Sequence, residues 1–449
     1  WVSDRNFLEE YFRPESEQGK DQETLVYLKK QEKNWALTML GQWRVLDWLT
    51  QTEHLPDLAF HWAGEPLGNF ASYYNESHLG FVRYRPGEGR LIDTWKGIFH
   101  AITNGISPIN GVHTPTSVQR KTNVFDSSDV TFRADTRNEI NFPIQAGPAK
   151  IVPFAVGRAG YWDNSPQEGS LARLFGSLGV RTGSEFWKVF ESVESDLLDL
   201  HGIRHIVRPE VTAWASGTNR DSRDLYPFAE GIETIDDFYG TSIALRQRWQ
   251  TKRGSPGAWR NVDWITLDIE ANFFGNQPRY MDDIGRFYAN RPENSNARSH
   301  VRADFSYRIS DTTVVLSDAN FDMNDGRLDL FNLSYAVERS PRFSYFVGYR
   351  LIDDTDSHLV GGGINYKIST KYTTATRLYY DLERNEMETF DITIIRKFPR
   401  WYASLTLEVD NIENDFGVSL SMWPEGAPQA TMGSRKYTGV AESTAIRPD

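Results

Sequence analysis

The stretch Phe343-Ser-Tyr-Phe-Val-Gly-Tyr-Arg-Leu351 decides the fold class, because its apolar and polar residues alternate. One side of the extended chain carries Phe343, Tyr345, Val347, Tyr349 and Leu351. The other side carries Arg342, Ser344, Gly348 and Arg350, with Phe346 as the exception. A period of two predicts a β-strand that has one apolar face and one polar face.

Similar strands follow one another through the last third of the chain. Lys371–Leu382 alternates in the same way, and so does Trp401–Asp410. Over the whole chain we expect roughly 19 strands. Strands with an apolar outer face and a charged inner face are typical of a transmembrane β-barrel. The predicted fold class is therefore all-β, a large antiparallel transmembrane β-barrel, and we expect this chain to be part of a larger barrel.

The composition fits this class and excludes others. Aromatic residues make up 13% of the chain, with 20 Tyr and 14 Trp, as the interfacial girdles of a membrane barrel require. The mean hydropathy is −0.53, and no apolar run reaches the ~20 residues of a membrane helix. The absence of cysteine excludes disulfides and thiolate sites. The net charge of −12 argues against a nucleic-acid partner.

The chain predicts one barrel domain over residues 1–423 and a flexible tail over residues 424–449, which is rich in Pro, Gly, Ser and Thr. Three long polar stretches interrupt the strands, at residues 86–129, 217–239 and 275–298. Barrels have short turns at one rim and longer loops at the other, so we assign all three to the outer, extracellular rim. No signal peptide precedes Trp1, and an outer-membrane protein requires one, so we expect further sequence upstream.

Three short motifs suggest chemistry but are better explained as structure. His201 and His205 would share a metal on a helix, but in a strand they lie about 13 Å apart. The run 318–326 lacks the glycine and the glutamate that a calcium loop needs at its sixth and twelfth positions. Gly361-Gly362-Gly363 is not followed by the Lys-Ser or Lys-Thr of a P-loop. We therefore predict no enzyme, no catalytic residue, no metal site and no cofactor.

The polar faces of the last strands carry charged side chains of both signs. If the apolar faces contact lipid, six of these side chains point into the lumen, namely Arg342, Arg350, Arg377, Asp381, Glu408 and Asp410. Such a hydrated interior can pass an amphipathic or charged substrate. The plain alternative is a polar interior of compensating pairs that has no specific ligand.

Several stretches resemble the family of outer-membrane LPS-assembly proteins, LptD. Val2-Ser-Asp-Arg-Asn-Phe-Leu-Glu-Glu-Tyr-Phe12 and then Gln51-Thr-Glu-His-Leu-Pro-Asp57 look like the early barrel region of that family. Three later stretches are similar to the central block of the same family, namely Phe154–Trp162, Arg173-Leu-Phe-Gly-Ser-Leu-Gly179 and Gly202-Ile-Arg-His-Ile-Val-Arg-Pro209. The hairpins over residues 327–423 resemble its C-terminal strands. No single motif is specific, and the order of several weak ones carries the resemblance.

The resemblance implies a translocon in the cell outer membrane. Such proteins receive lipopolysaccharide from a periplasmic lipid-transport bridge, house a plug lipoprotein of the LptE type, and release the lipid between the first and last strands. We call this opening between the first and last strands the lateral gate. The resemblance implies that the last strand of this chain forms one side of it. Its residues Phe416, Val418, Leu420 and Met422 would face lipid, followed by Trp423 and by Pro424, which lacks an N–H and would end the pairing.

The chain departs from the family pattern in two respects. The periplasmic jelly-roll domain and the first barrel strands are not in this sequence, so only one edge of the gate is expected here. The cysteines that join the two domains in the family are also missing, and Arg400 stands before Trp401 where a cysteine is common. This puts a disulfide-controlled maturation in doubt, but not the barrel.

Two other protein classes share the strand pattern. A passive or substrate-specific outer-membrane porin has the same alternation, with a closely paired seam and no lipoprotein plug. A soluble all-β protein, such as a large lectin-like sandwich or a propeller, is the third alternative. Recovery in the soluble fraction, without a heat-dependent shift in gel mobility, would favour the soluble protein.

Overall fold

The computed structural model describes residues 23–47, 49, 51–85, 128–166, 169–255, 257–275, 298–353, 356–411, 414–426 and 432–433. Nearly all of them belong to one sheet of 22 strand segments. The segments are β1 (Thr24–Glu32), β2 (Trp35–Trp43), β3 (Gln51–Leu67), β4 (Ala71–Arg85), β5 (Thr131–Asn141), β6 (Ile144–Ala146), β7 (Ala149–Trp162), β8 (Leu171–Ser184), β9 (Phe186–Ser195), β10 (Leu200–Thr218), β11 (Tyr239–Arg253), β12 (Arg260–Gly275), β13 (His300–Ser310), β14 (Thr313–Asp322), β15 (Arg327–Ser340), β16 (Phe343–Ile352), β17 (Ser357–Tyr366), β18 (Tyr372–Asp381), β19 (Glu386–Lys397), β20 (Trp401–Asp410), β21 (Asp415–Pro424) and β22 (Met432–Gly433).

Each strand pairs antiparallel with its neighbour in sequence, from β1–β2 to β20–β21. β5 and β6 both pair with β7 and form one interrupted strand. β8 and β9 both pair with β10 in the same way. With each interrupted strand counted once and the two-residue β22 set aside, 19 long strands remain. The prediction of an all-β, antiparallel barrel fold is confirmed.

Two short helical segments interrupt the strands. The 3₁₀ turn Ser222–Asp224 and the helix α1 (Glu230–Glu233) both lie between β10 and β11. Among the described residues, no helix is long and apolar enough to cross a bilayer.

The sheet has an apolar outer face that is exposed. On β8, Leu174 is 63% exposed and Leu178 is 69% exposed. Arg173, which directly precedes Leu174, is buried on the opposite face of the strand. The same division holds in the last third, where Val347 is exposed and Phe346 is buried. Leucines turned outward and arginines turned inward reverse the pattern of a soluble protein, and they are typical of a membrane barrel.

The connections differ between the two rims of the sheet. At one rim the turns are short, for example residues 33–34, 147–148, 311–312 and 341–342. The opposite rim carries the long connections 86–130, 219–238 and 276–299. The strand ends that flank the three long polar stretches therefore all lie at the same rim. Most of the first and third stretches, and all of residues 1–22, lie outside the described residues.

The described sheet ends in β1 on one side and, on the other, in β21 with the two-residue β22 beyond it. Of the described strands, β1 pairs only with β2, and no ladder joins it to β21. On its far side β21 meets β22, which pairs Met432 with Met422 and Gly433 with Ser421. Outside these two residue pairs, no ladder among the described strands runs along the far edge of β21.

The structure corrects two predictions near strand ends. β16 begins at Phe343 and Arg342 lies in the preceding turn, so strand alternation does not direct its side chain into the lumen. Pro424 is the last residue of β21 and lies opposite Trp401 in the final pair of the ladder, as predicted, but its missing N–H is not the cause. The next N–H, of Glu425, still donates to the Arg400 carbonyl. A proline at this position keeps the ladder because its missing N–H would have faced the far edge of β21.

Candidate functional site

The connection between β10 and β11 folds back onto the inner face of the sheet. We call residues 219–238 the lumen loop. Its side chains Leu225, Phe228 and Ile232 are buried. They pack against inner-face residues of three strands, namely Val82 and Tyr84 of β4, Trp162 of β7 and Leu171 of β8. The lumen loop therefore covers part of the inner wall, near the long-loop rim, instead of standing clear of the barrel.

Glu233 fixes the lumen loop to the wall. Its carboxylate accepts hydrogen bonds from Arg133 Nη1 on β5 at 3.2 Å and from Trp162 Nε1 on β7 at 3.0 Å. Its second oxygen accepts the backbone N–H of Ala229 at 2.7 Å, at the start of α1. A charge this deeply buried needs such partners, since an unpaired one is strongly destabilising.

Two further arginines hold the backbone of α1. Arg158 on β7 is bonded to both carboxylate oxygens of Asp135 and donates to the Gly231 carbonyl at 2.6 Å. Arg173 on β8 donates to the carbonyls of Ile232, Glu233 and Ile235. These carbonyls end the helix and have no partner within it, so a guanidinium group is a suitable cap. Three adjacent strands thus each supply one arginine to the lumen loop.

A carboxylate–histidine cluster lies behind the Glu233 contact. Asp57 Oδ2 accepts a hydrogen bond from Arg133 Nη2 at 2.7 Å, so Arg133 bridges Asp57 and Glu233. His54 Nδ1 lies 3.2 Å from the same oxygen, and His78 Nδ1 lies 3.6 Å from it. In the described part of the chain, no group of three His, Asp, Glu or Cys residues is arranged to hold a metal ion.

Asp236 closes the lumen loop on itself. Its two carboxylate oxygens accept the backbone N–H and the hydroxyl of Ser222, each at 2.7 Å. Burial raises the pKa of the Asp236 carboxyl above its ordinary value, and the two hydrogen bonds from Ser222 act in the opposite direction.

The inner wall away from the lumen loop carries compensating ion pairs. Arg246 on β11 reaches Glu210 on β10 at 2.9 Å and Glu270 on β12 at 3.0 Å. Arg248, also on β11, is bidentate with Asp268 of β12. Both arginines of β11 therefore have carboxylate partners on neighbouring strands, which offset their charge on the hydrated face.

The charged residues predicted from sequence have different surroundings. Arg377 lies opposite Asp391 and donates to its Oδ2 at 3.0 Å, and Asp391 lies opposite Glu408. Asp381 is buried and accepts the N–H groups of residues 383 and 384, so it caps the β18–β19 turn. Arg350 is exposed, on the same face as Phe346. Asp410 is buried beside the β20–β21 turn.

The last strand has the two faces that its sequence predicts. Phe416, Val418, Leu420 and Met422 are exposed on the outer face, with Leu420 at 64%. Trp423 turns inward, is buried, and stacks on Tyr402 of β20 with ring centroids 5.5 Å apart. A buried row of hydroxyls continues along this inner face, where Ser404 and Ser421 are 2.7 Å apart.

The three motifs that suggested chemistry lie in strands and turns. His205 stacks on Trp249, and His201 packs against Trp259, both along β10. Asp322 accepts the N–H groups of residues 324 and 325 in the β14–β15 turn. Gly363 leaves room for the Phe346 ring, because a Cβ at Gly363 would lie 2.4 Å from it.

Sequence reasoning missed the lumen loop, its three arginines and Glu233. The available signal is the apolar residues of Leu225-Tyr-Pro-Phe228 and Ile232 within an otherwise polar stretch. A loop that remained in solvent would not need them.

No protein-family model matches the chain, and no curated protein matches it. Among solved structures, the chain is similar to a mutant of the Rhodopseudomonas blastica porin, at 9% identity and a TM-score of 0.26, over 68% of this chain and 93% of the porin. It is also similar to the ferric-catecholate import receptor Fiu from E. coli K12, at 9% identity and a TM-score of 0.30, over 89% of this chain and 71% of the receptor. A third is the siderophore receptor PirA from Acinetobacter baumannii, at 5% identity and a TM-score of 0.33, over 89% of this chain and 70% of that one. Similarities this low carry no conclusion about function.

Proposed function

We propose that this chain is the barrel of an outer-membrane translocon that delivers lipopolysaccharide, or a related lipid, to the outer leaflet. The observation that carries the proposal is the edge at β21. Its outer face is apolar, its inner face is lined with hydroxyls, and its far-edge ladder among the described strands is limited to two residue pairs with β22. A lipid with an acyl anchor and a charged sugar can leave a barrel only where the wall opens, and a weakly paired strand permits this.

The proposal assigns a role to each face of the last strand. Phe416, Val418 and Leu420 border the bilayer that receives the acyl chains. The inner face, with Ser404, Ser421 and the stacked Trp423, borders the path of the sugar. Pro424 removes one N–H from the far edge of β21, which weakens pairing with any strand that closes the gate. A plug lipoprotein and a periplasmic lipid-transport bridge are further parts of the proposal.

A substrate-specific porin is the second candidate, and the lumen loop favours it. A loop that folds inward and is fixed to the wall by Glu233 and three arginines narrows the channel. In a porin this constriction would select solutes, whereas in a translocon it would have to leave the path beside β21 open.

Depletion of this chain from cells distinguishes the two functions. The translocon predicts that pulse-labelled lipopolysaccharide stops reaching the cell surface while uptake of small solutes is unchanged. The porin predicts the reverse. Detergent extracts give a second test, because co-purification of a small lipoprotein supports the two-component translocon and its clear absence rules that version out.

A further inference from the structure

A cavity of about 320 Å³ lies between the lumen loop and the inner wall. We call it the amphipathic pocket. Its floor consists of inner-face residues of β5, β7, β8 and β10, and its roof includes Gly231, Ile235 and Phe238 of the lumen loop. The volume falls in the range of small-molecule sites in proteins, which are typically about 300–1,000 Å³.

The apolar part of the amphipathic pocket is largely aromatic. Four rings line it, those of Phe154, Phe175, Trp214 and Phe238. Trp214 and Phe238 meet edge to face with centroids 6.0 Å apart, which joins wall and loop. The Phe154 ring lies over Gly179, where a Cβ would come within 2.4 Å of it. Flat apolar surfaces held in place in this way suit a flat apolar ligand.

The charged groups that line the pocket are all positive. Arg137, Arg158 and Arg181 line it. Asp135 is fully engaged by Arg158, and Arg137 and Arg181 share the single carboxylate of Glu139. A monoanion placed beside Arg137 and Arg181 would meet two guanidinium groups that share one ion-paired carboxylate. Guanidinium groups bind carboxylates with two parallel hydrogen bonds, which makes a carboxylate a suitable anion.

Arg181 is held in a position to receive such a group. Its guanidinium carbon lies 3.9 Å from the centroid of the Phe154 ring, and Nη1 donates to Asn141 Oδ1 at 3.0 Å as well as to Glu139. Ser177 and Thr212 add two hydroxyl groups to the pocket wall. The Arg181 guanidinium, the Phe154 ring and these two hydroxyls therefore all line the amphipathic pocket.

From these contacts we propose that the amphipathic pocket binds a small monoanion with a flat apolar body, of the class of aromatic carboxylates. The carboxylate lies between Arg137 and Arg181, and the ring lies among Phe154, Trp214 and Phe238. Such a ligand touches both the wall and the lumen loop, so it stabilises the docked loop by the free energy of its binding. This inference does not depend on whether the barrel delivers lipid or passes solutes.

Calorimetric titration of the purified barrel in a nonionic detergent with naphthoate tests the proposal. Naphthylmethanol serves as the neutral isostere and naphthylmethylammonium as the cation. We expect saturable binding of naphthoate at one site, with the neutral and cationic analogues at least about tenfold weaker. Equal binding of naphthoate and naphthylmethanol, or no binding of naphthoate, overturns the proposal without any variant.

Variants then locate the site. Arg181→Gln and Trp214→Ala should each lower the naphthoate affinity about tenfold or more. The matched control Arg204→Gln changes an arginine of β10 outside the pocket, near Trp187, and should leave the affinity unchanged. Naphthoate should also slow tryptic cleavage after Arg220 in the wild-type lumen loop. Unchanged affinity in Arg181→Gln, in protein that retains its heat-dependent gel mobility, contradicts the assignment.

Discussion

The Glu233 carboxylate of the lumen loop lies 3.2 Å from Arg133 Nη1 on β5, and both side chains are 1% exposed. The two residues are 100 positions apart in sequence. Arg133 also binds Asp57, so a single arginine connects the lumen loop with two strands of the wall. This contact holds the loop against the inner face together with those of Arg158 and Arg173.

Replacement of Glu233 by Gln should release the lumen loop. The amide can still accept a hydrogen bond but no longer neutralises Arg133, and breaking a buried ion pair costs about 3–5 kcal/mol. We expect faster tryptic cleavage after Arg220 and a higher single-channel conductance. The control is Glu210→Gln, which removes a half-exposed ion pair with Arg246 that is worth about 0–1 kcal/mol. Equal cleavage rates in the two variants would show that the Glu233 contact does not hold the loop.

The wall beneath the lumen loop should not tolerate a methyl group at Gly179. A Cβ there would lie 2.6 Å from the Ala213 carbonyl oxygen as well as 2.4 Å from the Phe154 ring. Because the carbonyl belongs to the neighbouring strand, Gly179→Ala should lower the unfolding free energy by about 1–3 kcal/mol. Gly157→Ala is the matched control, since a Cβ at Gly157 meets nothing within 4 Å. Denaturant unfolding in detergent measures both, and equal stabilities would refute this packing.

The hydroxyl pair of Thr393 and Thr406 should behave as a coupled unit. The two buried oxygens are 2.7 Å apart on the inner face of β19 and β20. Thr406→Val leaves the Thr393 hydroxyl without this partner and should cost about 1–3 kcal/mol, whereas the double Val variant should be close to wild type. A double-mutant cycle of unfolding free energies checks this coupling. Additive losses would mean that the hydrogen bond contributes little.

Docking of the lumen loop should depend on pH through Asp236. Its folded-state pKa is raised by burial, so the docked loop is favoured while the carboxyl is protonated. Docking weakens as the pH rises from the ordinary carboxyl pKa of 3.8 through the raised value. Single-channel conductance should therefore increase over that interval in the wild type and not in Asp236→Asn. The neighbouring Asp237→Asn is the control, and an unchanged slope in Asp236→Asn would exclude Asp236 as the titrating group.

Sequence alternation predicted the strands well because every strand has an apolar outer face and a polar inner face, and both are visible in its own residues. The predicted strands 343–351, 371–382 and 401–410 match the observed bounds to within one residue at each end, since short turns leave little freedom in where a strand ends. Arg342 shows the limit of this precision. It lies one residue before β16, in the turn, so an error of one residue decided whether its side chain was assigned to the lumen. Pro424 shows another, since the effect of a missing N–H depends on which edge it faces.

The lumen loop could not be predicted from the same reasoning. Its apolar residues Leu225, Phe228 and Ile232 are visible in the sequence, but their partners lie on three strands that only the assembled sheet brings together. The same holds for Arg133, Arg158 and Arg173, which resemble any other charged residues of an inner face. Alternation assigns each of them to a face but does not identify what covers that face.

Photo-crosslinking from the inner face beside β21 tests the proposed translocon most directly. A photoreactive amino acid placed at Tyr402 or Ser419 reports on the lumen next to the proposed exit. Ser306, on the inner face of β13, is the matched position far from that edge, and Leu333 reports on the lipid-facing side. We predict lipopolysaccharide adducts at residues 402 and 419 in growing cells, and none at 306. Adducts at residue 333 alone, with none from the inner-face positions, would contradict lipid passage through this barrel.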